Sequence, residues 1–239
     1  MTFDQQAVLI TGASQGIGRS IAIAFASDTQ RPLLLMARNL QNLTETKRLC
    51  EAEGANRVEL IVCDATDAEA VKSIKLPAEM PEPSLLINNA GSYLYKPLST
   101  TTEGEFRHQI DVNLFTAVNV TSRFLPSLKQ KERGLIVNIS SVGATRGLAE
   151  SGAYSAAKHA LLGYTRSLRK ELLGTNVGVT ALNLGQTHSP SWAGSSVSPV
   201  DLIDPKDVAT LIVAISGLSP RSVVEELLLQ PQHGKVPPM

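Results

Sequence analysis

Two side chains four residues apart, a phenol and an ammonium, are the strongest candidates for chemistry in this sequence. Tyr154 and Lys158 lie in the stretch 152–170, where apolar residues recur at helical spacing, so both leave the same face of a predicted helix. A nearby ammonium favours the phenolate, which we expect to lower the pKa of Tyr154 from about 10 towards the range of a working proton donor. This spacing is common on helices, so whether the pair is catalytic has to be judged from the other motifs in the chain.

A glycine-rich turn near the N-terminus is the second candidate site. An apolar run, 7–10, leads into Gly-x-x-x-Gly-x-Gly at 12–18, and an apolar helical pattern follows. Glycine permits the positive φ of a tight turn and lets the backbone approach a pyrophosphate, which the helix N-terminus then stabilises. Arg19 and Ser20 follow the last glycine, so the sequence lacks the lysine of a P-loop. A purely structural turn is the alternative, but a place at the first β–α junction favours dinucleotide binding.

The end of the second predicted strand carries a base rather than an acid. In dinucleotide folds an acidic residue there holds the ribose 2′-hydroxyl of NAD, whereas an arginine accommodates the 2′-phosphate of NADP. Arg38 follows this strand directly and therefore predicts NADP(H), with a solvated loop arginine as the alternative. Asp64 ends the third strand, and we expect it to face the adenine or to be an ordinary turn residue.

Further polar residues fall near the carboxyl edge of the predicted sheet. Asn88-Asn89 follows the fourth strand and Ser141 the fifth, and each taken alone is more often structural than catalytic. Asn113 lies within an apolar helical pattern, where a buried amide needs partners. The four histidines and two cysteines lack metal-ligand spacing, so no metal site is predicted.

The elements that must position these residues alternate between strands and helices. Short continuous apolar runs separated by helical patterns indicate a parallel sheet covered on both faces, an α/β fold of the Rossmann-type, doubly wound class. Two long helices are predicted over 105–130 and 152–173, and the last strand over 223–229. No repeat, low-complexity segment or linker interrupts the pattern, so we expect a single domain over 1–239 that both binds the dinucleotide and carries the catalytic groups.

Composition narrows the possible partners. The chain has 239 residues, of which 43% are hydrophobic and 18% charged, and the formal net charge is zero. Neutrality with scattered basic residues gives no reason to expect nucleic acid or an anionic membrane as a partner. No signal peptide or membrane span is predicted, and two cysteines without a disulfide framework favour a reduced, cytoplasmic location.

The motifs taken together resemble the short-chain dehydrogenase/reductase family. They appear in the family's order and spacing and cover most of the chain: TGASQGIG (11–18), Asp64, NNAG (88–91), DVN (111–113), NISS (138–141), YSAAK (154–158) and the partial NLG (183–185). The resemblance implies a seven-stranded parallel sheet, NADP(H), and hydride transfer between the nicotinamide and a carbonyl or alcohol of a small molecule. It also implies a homodimer or homotetramer assembled through the two long helices. Small and apolar residues on more than one face of these helices, among them Ala117, Val120 and Leu161, also favour an oligomer, because a helix that is apolar on several faces has to be covered.

The resemblance carries roles over to matching positions. Tyr154 would protonate the carbonyl oxygen, Ser141 would hydrogen-bond the same oxygen, Lys158 would bind the nicotinamide ribose and lower the pKa of Tyr154, and Asn113 would hold a water of a proton relay. With Tyr154 and Lys158, the expected cofactor-binding residues are Gly12, Ser14, Gln15, Gly16, Ile17, Gly18, Arg38, Asn39, Asp64, Ala65, Asn89, Ala90, Gly91, Leu184, Gly185 and Thr187. The candidate substrate residues, besides Ser141, are Ser92, Tyr93, Tyr95, Gln186 and Trp192.

The sequence departs from the family pattern at several positions. Leu184 stands where the family usually has proline before glycine, Ser189 replaces a usual threonine, and Gln15 occupies a position that is often basic in NADP-binding members. The segment 189–192 and the C-terminal end resemble bacterial sepiapterin-reductase-like members, which names no substrate.

Two functional hypotheses follow. The favoured one is an NADPH-dependent carbonyl reductase, because the four groups expected to act in catalysis are all present. The alternative is a non-catalytic NADP-binding sensor or regulatory protein on the same fold. An epimerase or dehydratase fits poorly, because those relatives generally have longer chains and a differently spaced glycine turn.

Overall fold

The computed structural model describes residues 3–234, and these contain a seven-stranded sheet in which every neighbouring pair is parallel. The strand order is β3-β2-β1-β4-β5-β6-β7. This confirms the predicted fold class. The strands are β1 (Ala7–Thr11), β2 (Leu33–Ala37), β3 (Val58–Val62), β4 (Pro83–Asn88), β5 (Gly134–Ser141), β6 (Val177–Leu184) and β7 (Glu226–Leu229).

Helices cover the sheet on both sides. They are α1 (Gly16–Asp28), α2 (Leu40–Ala52), α3 (Ala68–Lys72), α4 (Glu103–Ile110), α5 (Thr116–Lys129), α6 (Gly152–Glu171) and α7 (Pro205–Ser216). Buried residues of α1, α2 and α7 form one core cluster with the sheet, and those of α3, α5 and α6 form a second. No helix within residues 3–234 is both long and apolar enough to cross a membrane.

Burial on two faces explains why the strands are continuous apolar runs. Successive residues of a strand point to opposite faces, so Val8 and Ile10 of β1 join the cluster that contains Phe25 of α1. Ala7 and Leu9 join the cluster that contains Phe124 of α5. A polar residue at any of these positions would leave a buried group without water.

The strand order reverses its direction between β1 and β4. From β1 the chain winds outward to β2 and β3, and after β4 it winds the other way through β5, β6 and β7. Ligands of open parallel sheets bind outside the carboxyl ends of the strands at such a switch point. The glycine turn after β1 and the asparagine pair at the end of β4 both lie there.

The predicted helix over 105–130 is not one regular α-helix. It begins at Glu103 with a capping box between Thr102 and Glu105, and a π-turn over Asp111–Phe115 separates α4 from α5. The N–H of Thr116 donates to the carbonyl of Asp111, which widens the helix by one residue per turn at this point. Asn113 lies at the centre of the π-turn.

The last strand is shorter than predicted. It starts at Glu226 and not at Val223, although its end at Leu229 agrees. Val223 instead packs over Gly178 of β6. A Cβ added to Gly178 would lie 3.1 Å from the Cγ2 atom of Val223. The predicted helix over 152–173 agrees with α6 at its start and ends two residues later.

Candidate active site

Helix α6 carries the tyrosine–lysine pair into the crevice at the switch point. Tyr154 lies in its first turn and Lys158 one turn later, so the two side chains share a face, as predicted. The helix starts close to a neighbouring loop: a Cβ on Gly152 would overlap the side chain of Leu98, so a larger residue there would require Leu98 to move.

The ammonium of Lys158 is buried and held by the sheet. The side chain is 6% exposed, and its Nζ donates a hydrogen bond to the carbonyl oxygen of Ile139 in β5 at 3.0 Å. Burial disfavours the charged form and lowers the pKa of Lys158 to about 8. The Nζ lies 5.8 Å from the centre of the Tyr154 ring.

The predicted lowering of the Tyr154 pKa is wrong for the protein alone. Burial raises the pKa of Tyr154 to about 12, and the hydrogen bond with Ser141 only partly opposes this increase. The spacing predicted the shared face but could not indicate that the phenol itself loses water and that Lys158 is hydrogen-bonded to a backbone carbonyl. Tyr154 is therefore a neutral O–H group throughout the neutral pH range, which is the form that can donate a proton.

Ser141 ends β5 beside this phenol. Its side chain is 6% exposed, and its Oγ accepts a hydrogen bond from the N–H of Gly143 at 3.0 Å. Because that contact uses an oxygen lone pair, the hydroxyl proton of Ser141 remains available for its hydrogen bond with Tyr154.

Asn113 is 1% exposed, and the π-turn directs its side-chain amide towards the space beside Gly91 and Lys158. Its Nδ2 donates to the carbonyl of Ser92 at 2.9 Å and to the backbone and side-chain oxygens of Gln109 at 3.1 Å. Its Oδ1 has no hydrogen-bond partner among the described residues. A Cβ on Gly91 would lie 2.6 Å from this oxygen and 3.7 Å from the Lys158 Nζ, so Gly91 keeps open the space between them.

The glycine turn has the geometry that the sequence predicts. Gly12 and Gly16 have φ values of 66° and 55°, in the left-handed region that favours glycine. A Cβ on Gly18 would lie 2.3 Å from the carbonyl oxygen of Gly12, so α1 packs directly against the turn. Gln15 is exposed at the N-cap of α1, and Ile17 in its first turn packs against the core.

Asn88 and Asn89 have structural roles. Asn89 Nδ2 donates to the carbonyl of Thr11 at 3.0 Å, and the backbone N–H groups of Asn89 and Ala90 donate to the Thr11 hydroxyl at 3.0 Å. These bonds hold the end of β4 against the glycine turn. Asn88 is buried and donates to Asn138 at 2.8 Å and Thr121 at 3.0 Å, which connects β4 with β5 and α5.

Arg19 supports the turn and was not predicted as a site residue. Its Nη2 donates to the carbonyl of Ser14 at 2.6 Å, and its Nε donates to the Thr46 hydroxyl of α2 at 3.0 Å. Arg19, the fourth residue of α1, thus fixes the glycine turn relative to α2. The sequence did contain the signal, an arginine directly after the last glycine, but it served only to exclude a P-loop.

Arg38 and Asp64 meet at the ends of β2 and β3. Arg38 Nη1 lies 3.7 Å from Asp64 Oδ2, and their side chains are 70% and 43% exposed. Although slight burial raises the pKa of Asp64, hydrogen bonds from Thr66 and the charge of Arg38 hold it below the ordinary value. Asn39 caps α2 by accepting from the Asn42 N–H at 2.8 Å, and the carbonyl of Ala65 accepts from Asn119 at 3.0 Å.

The departure at Leu184 is accommodated by the sheet. Leu184 ends β6 as a 5% exposed core residue paired with Leu229, in place of the turn-forming proline. A Cβ on Gly185 would lie 2.9 Å from Pro231 Cδ and 3.2 Å from the Leu229 carbonyl oxygen, so a larger residue would have to displace the chain after β7. Thr187 is buried and donates to the carbonyl of Gly185 at 3.1 Å, while the carbonyl of Gln186 accepts from the Ile203 N–H at 2.9 Å.

The candidate substrate residues fall into two groups. Tyr93 lies against Tyr154, while Ser92 contacts Asn113 through its carbonyl and the hydroxyl of Tyr95 donates to Glu150. Trp192 instead lines a cleft with Gly16 at the glycine turn, away from the group around Tyr154. Gln109 was not predicted at all; it is 2% exposed and bonds both Asn113 and Ser92.

These features define a Rossmann-type protein with a dinucleotide turn and a tyrosine–lysine pair at one crevice. Residues 6–197 match the family model described as short chain dehydrogenase. The chain belongs to the short-chain dehydrogenase/reductase family and is an oxidoreductase, as the motifs predicted.

Individual relatives agree over nearly the whole chain. A fatty acyl-CoA reductase of Acinetobacter baylyi is 30% identical over 224 residues, which cover 92% of this chain and 75% of the relative. A sepiapterin reductase of Chlorobaculum tepidum is 29% identical over 238 residues, covering 96% and 97%. An alcohol dehydrogenase from the archaeon Thermococcus sibiricus, solved with 5-hydroxy-NADP, superimposes with a TM-score of 0.89 at 28% identity, covering 98% and 99%.

Proposed function

We propose that this protein is an NADP(H)-dependent reductase that converts a carbonyl of a small molecule to an alcohol. The observation that carries the proposal is the group at the crevice: a protonated Tyr154 beside Ser141, with the buried cation of Lys158 on the same helix face. A proton donor, a second hydroxyl and a cation together protonate and stabilise the oxygen of a carbonyl whose carbon receives a hydride.

The residues present fit a phosphorylated dinucleotide. The turn at Gly12, Gly16 and Gly18 leaves a surface without side chains at the start of α1, where N–H groups and the helix dipole favour phosphate. Arg38 offers an exposed guanidinium one strand away for a ribose 2′-phosphate. NADPH, when bound, supplies the hydride.

The chain's own residues manage the proton. Tyr154 donates it to the carbonyl oxygen, and Ser141 donates a hydrogen bond to the same oxygen, which orients it and stabilises its growing negative charge. Lys158 is largely protonated at pH 7, since its pKa is about 8, and can restore the proton to Tyr154. The unpaired Oδ1 of Asn113 offers an acceptor for a water that continues this path to solvent.

Relatives support the cofactor and suggest substrates to test. The Thermococcus sibiricus alcohol dehydrogenase was solved with an NADP derivative, and a metagenomic short-chain oxidoreductase, 30% identical, was solved with NADP. The reductases named above act on an acyl-CoA and on sepiapterin. A panel should therefore contain ketoacyl thioesters and pterins as well as diketones, quinones and aldehydes.

The test is consumption of NADPH with this panel, followed at 340 nm, in the wild type and in Tyr154→Phe. This variant keeps the ring and loses the proton, so kcat should fall by about 10²–10⁴-fold. Cofactor affinity, measured by fluorescence titration, should change little. Lys158→Met should lower both the rate and the affinity, and the double variant should lose less than the two single losses combined, because the groups act as one unit.

Two results would contradict the proposal. If Tyr154→Phe keeps a near wild-type kcat on the best substrate, the proton donor lies elsewhere. If the wild type binds NADPH tightly but turns over no carbonyl of the panel, the alternative of a non-catalytic sensor is favoured.

Assembly, domain organisation and location belong to the proposal as well. We propose a single domain that forms a homodimer or homotetramer through α4–α5 and α6, with no nucleic acid or membrane partner. Cys50 and Cys63 form no disulfide within the described residues, which supports the proposed cytoplasmic location.

A further inference from the structure

Tyr93 contacts the predicted proton donor and the start of its helix at the same time. The rings of Tyr93 and Tyr154 are 4.9 Å apart between centroids and inclined by 80°, an edge-to-face pair. The hydroxyl of Tyr93 lies 2.6 Å from the Oγ of Ser151, the N-cap residue of α6. One side chain therefore touches both the Tyr154 ring and the residue from which Tyr154's helix begins.

Within residues 3–234, Ser151 does not make the capping hydrogen bond that is usual for an N-cap serine. A serine at an N-cap normally accepts a hydrogen bond from a backbone N–H of the first helical turn. Within the described part of the chain the Ser151 side chain makes no such capping bond, although it is only 1% exposed. Its hydrogen bond goes to Tyr93 instead, so the first turn of α6 is fixed by a residue from the loop after β4.

The loop that carries Tyr93 is itself held at both ends. The carbonyl of Ser92 accepts from Asn113, and its hydroxyl accepts from Gln109 at 3.2 Å. The backbone of Lys96 forms a parallel bridge with Ser151 and donates to the carbonyl of Glu150 at 2.5 Å. These contacts anchor the backbone on both sides of Tyr93.

We propose that Tyr93 is a positioning residue, which holds the ring of Tyr154 in one orientation through the edge-to-face contact and the bond to Ser151. This inference rests on the proposed role of Tyr154 as proton donor. A phenol that donates a proton has to reach the carbonyl oxygen at hydrogen-bond distance, and misplacement by about 1 Å can cost about 100-fold in rate. Without Tyr93, the Tyr154 ring loses the contact that restricts its rotation on this side.

The competing role for Tyr93 is direct contact with substrate, and the two roles differ in what they change. Removing a positioning residue lowers the rate of the chemical step by a similar factor for every substrate, because all substrates use the same proton donor. A substrate contact alters KM and kcat by factors that depend on the size and polarity of the substrate.

The kinetic test compares Tyr93→Leu, Tyr93→Phe and the control Tyr164→Leu. Tyr164 lies ten residues after Tyr154 on α6, and its partly buried ring packs against the core cluster that contains Phe124. For Tyr93→Leu we expect kcat to fall by about 10- to 100-fold, by a similar factor on every substrate of the panel, with little change in KM. Tyr93→Phe keeps the ring contact and should restore kcat to within about tenfold of wild type, the scale of one hydrogen bond. Tyr164→Leu should keep the wild-type kcat.

A second measurement does not depend on activity. The chain has four tyrosines, so ring-labelled tyrosine gives a small set of NMR signals that single Tyr→Phe variants assign. In Tyr93→Leu, with and without NADPH, the signals of the two Tyr154 ring edges should average, because ring flips become faster; in Tyr164→Leu the flip rate should stay that of the wild type. The flip rate is the readout, because removing the Tyr93 ring shifts nearby signals whatever its role.

The outcomes separate this inference from the proposed function. An unchanged flip rate of the Tyr154 ring in Tyr93→Leu, or rate losses that vary widely between substrates, would overturn the positioning role even if the enzyme is an active reductase. If the wild type is inactive on the panel, the proposed function fails, and the NMR comparison still decides whether Tyr93 orients Tyr154.

Discussion

Lys158 illustrates at the residue scale how a functional group lowers the stability of the fold. Its ammonium is buried in a core-facing position and its pKa drops from 10.5 to about 8. A difference of this size corresponds to about 3 kcal/mol of unfavourable burial of the charged form. One hydrogen bond to Ile139 returns only about 1 kcal/mol, so most of this cost remains in the native protein.

The first prediction concerns how the free energy of unfolding depends on pH. Below pH 8 Lys158 is charged in both states, and the cost of burying it is fully present; between about 8 and 10.5 the native protein releases the proton while the unfolded chain keeps it. Wild-type stability should therefore gain relative to Lys158→Met as pH rises. Urea unfolding should show Lys158→Met more stable by about 2 kcal/mol at pH 7, with the difference shrinking by pH 10.

Lys170→Met is the matched control, since Lys170 is an exposed lysine on the same helix. It should change stability little at either pH. A Lys158→Met variant that is less stable than the wild type at pH 7 would show that the hydrogen bond to Ile139 outweighs the burial of the charge.

The second prediction tests Arg38 as the determinant of cofactor preference. We expect the wild type to prefer NADPH and Arg38→Asp to shift the kcat/KM ratio towards NADH by about tenfold or more, because a charged hydrogen bond to phosphate becomes a repulsion. Arg38→Gln is the control: it should weaken NADPH use without improving NADH use. Equal kcat/KM values for the two cofactors in the wild type would rule out this role for Arg38.

Residue identity and spacing predicted which side chains meet, but not their environment. The shared face of Tyr154 and Lys158 follows from a spacing of four on a helix. The sign of the Tyr154 pKa shift depends on burial by residues distant in the chain, such as Tyr93, and was predicted wrongly. Gln109 and Arg19 were missed for the same reason, since their partners lie on other elements.

At the scale of elements, the site depends on local departures from regular structure. The π-turn at Asp111–Phe115 directs Asn113 inward, and Glu150, two residues before α6, has a φ of 57°. A non-glycine residue in this left-handed region is strained. The strand and helix pattern predicted the order of the elements well, because it follows from alternation of apolar runs. Periodicity could not indicate the π-turn, or that Val223 packs over Gly178 outside β7.

The third prediction compares two variants at Glu150. Glu150→Gly and Glu150→Ala both lose the carboxylate that accepts from the Tyr95 hydroxyl, and they differ only by a Cβ. Because glycine adopts positive φ without a steric penalty, Glu150→Gly should be the more stable of the two by about 1 kcal/mol in thermal or urea unfolding. Equal stability would mean that the chain before α6 relaxes to a negative φ at no cost.

At the scale of the whole molecule, some of the residues that led us to expect an oligomer are buried within the chain's own core. The prediction rested on small and apolar residues on several faces of the two long helices. Three of them, Ala117, Val120 and Leu161, are 4%, 0% and 2% exposed, so the chain's own core already covers them. The uncovered apolar surface lies elsewhere on α4 and the π-turn, where Phe106 and Phe115 are 36% and 44% exposed and line one groove with Ile110.

The last prediction is that this groove is part of the subunit interface. Exposed aromatic side chains grouped on one helical surface are typical of a contact with another protein surface, and here a second copy is the expected partner. The wild type should sediment as a dimer or tetramer at micromolar concentration. Phe106→Asp combined with Phe115→Asp should shift it towards the monomer, because each aspartate would have to lose water in the interface. Val200→Asp is the control, since Val200 is 86% exposed but lies between β6 and α7, and it should leave the assembly unchanged. A wild type that is monomeric at this concentration would contradict the prediction, and an oligomer that survives both aspartates would place the interface on another surface.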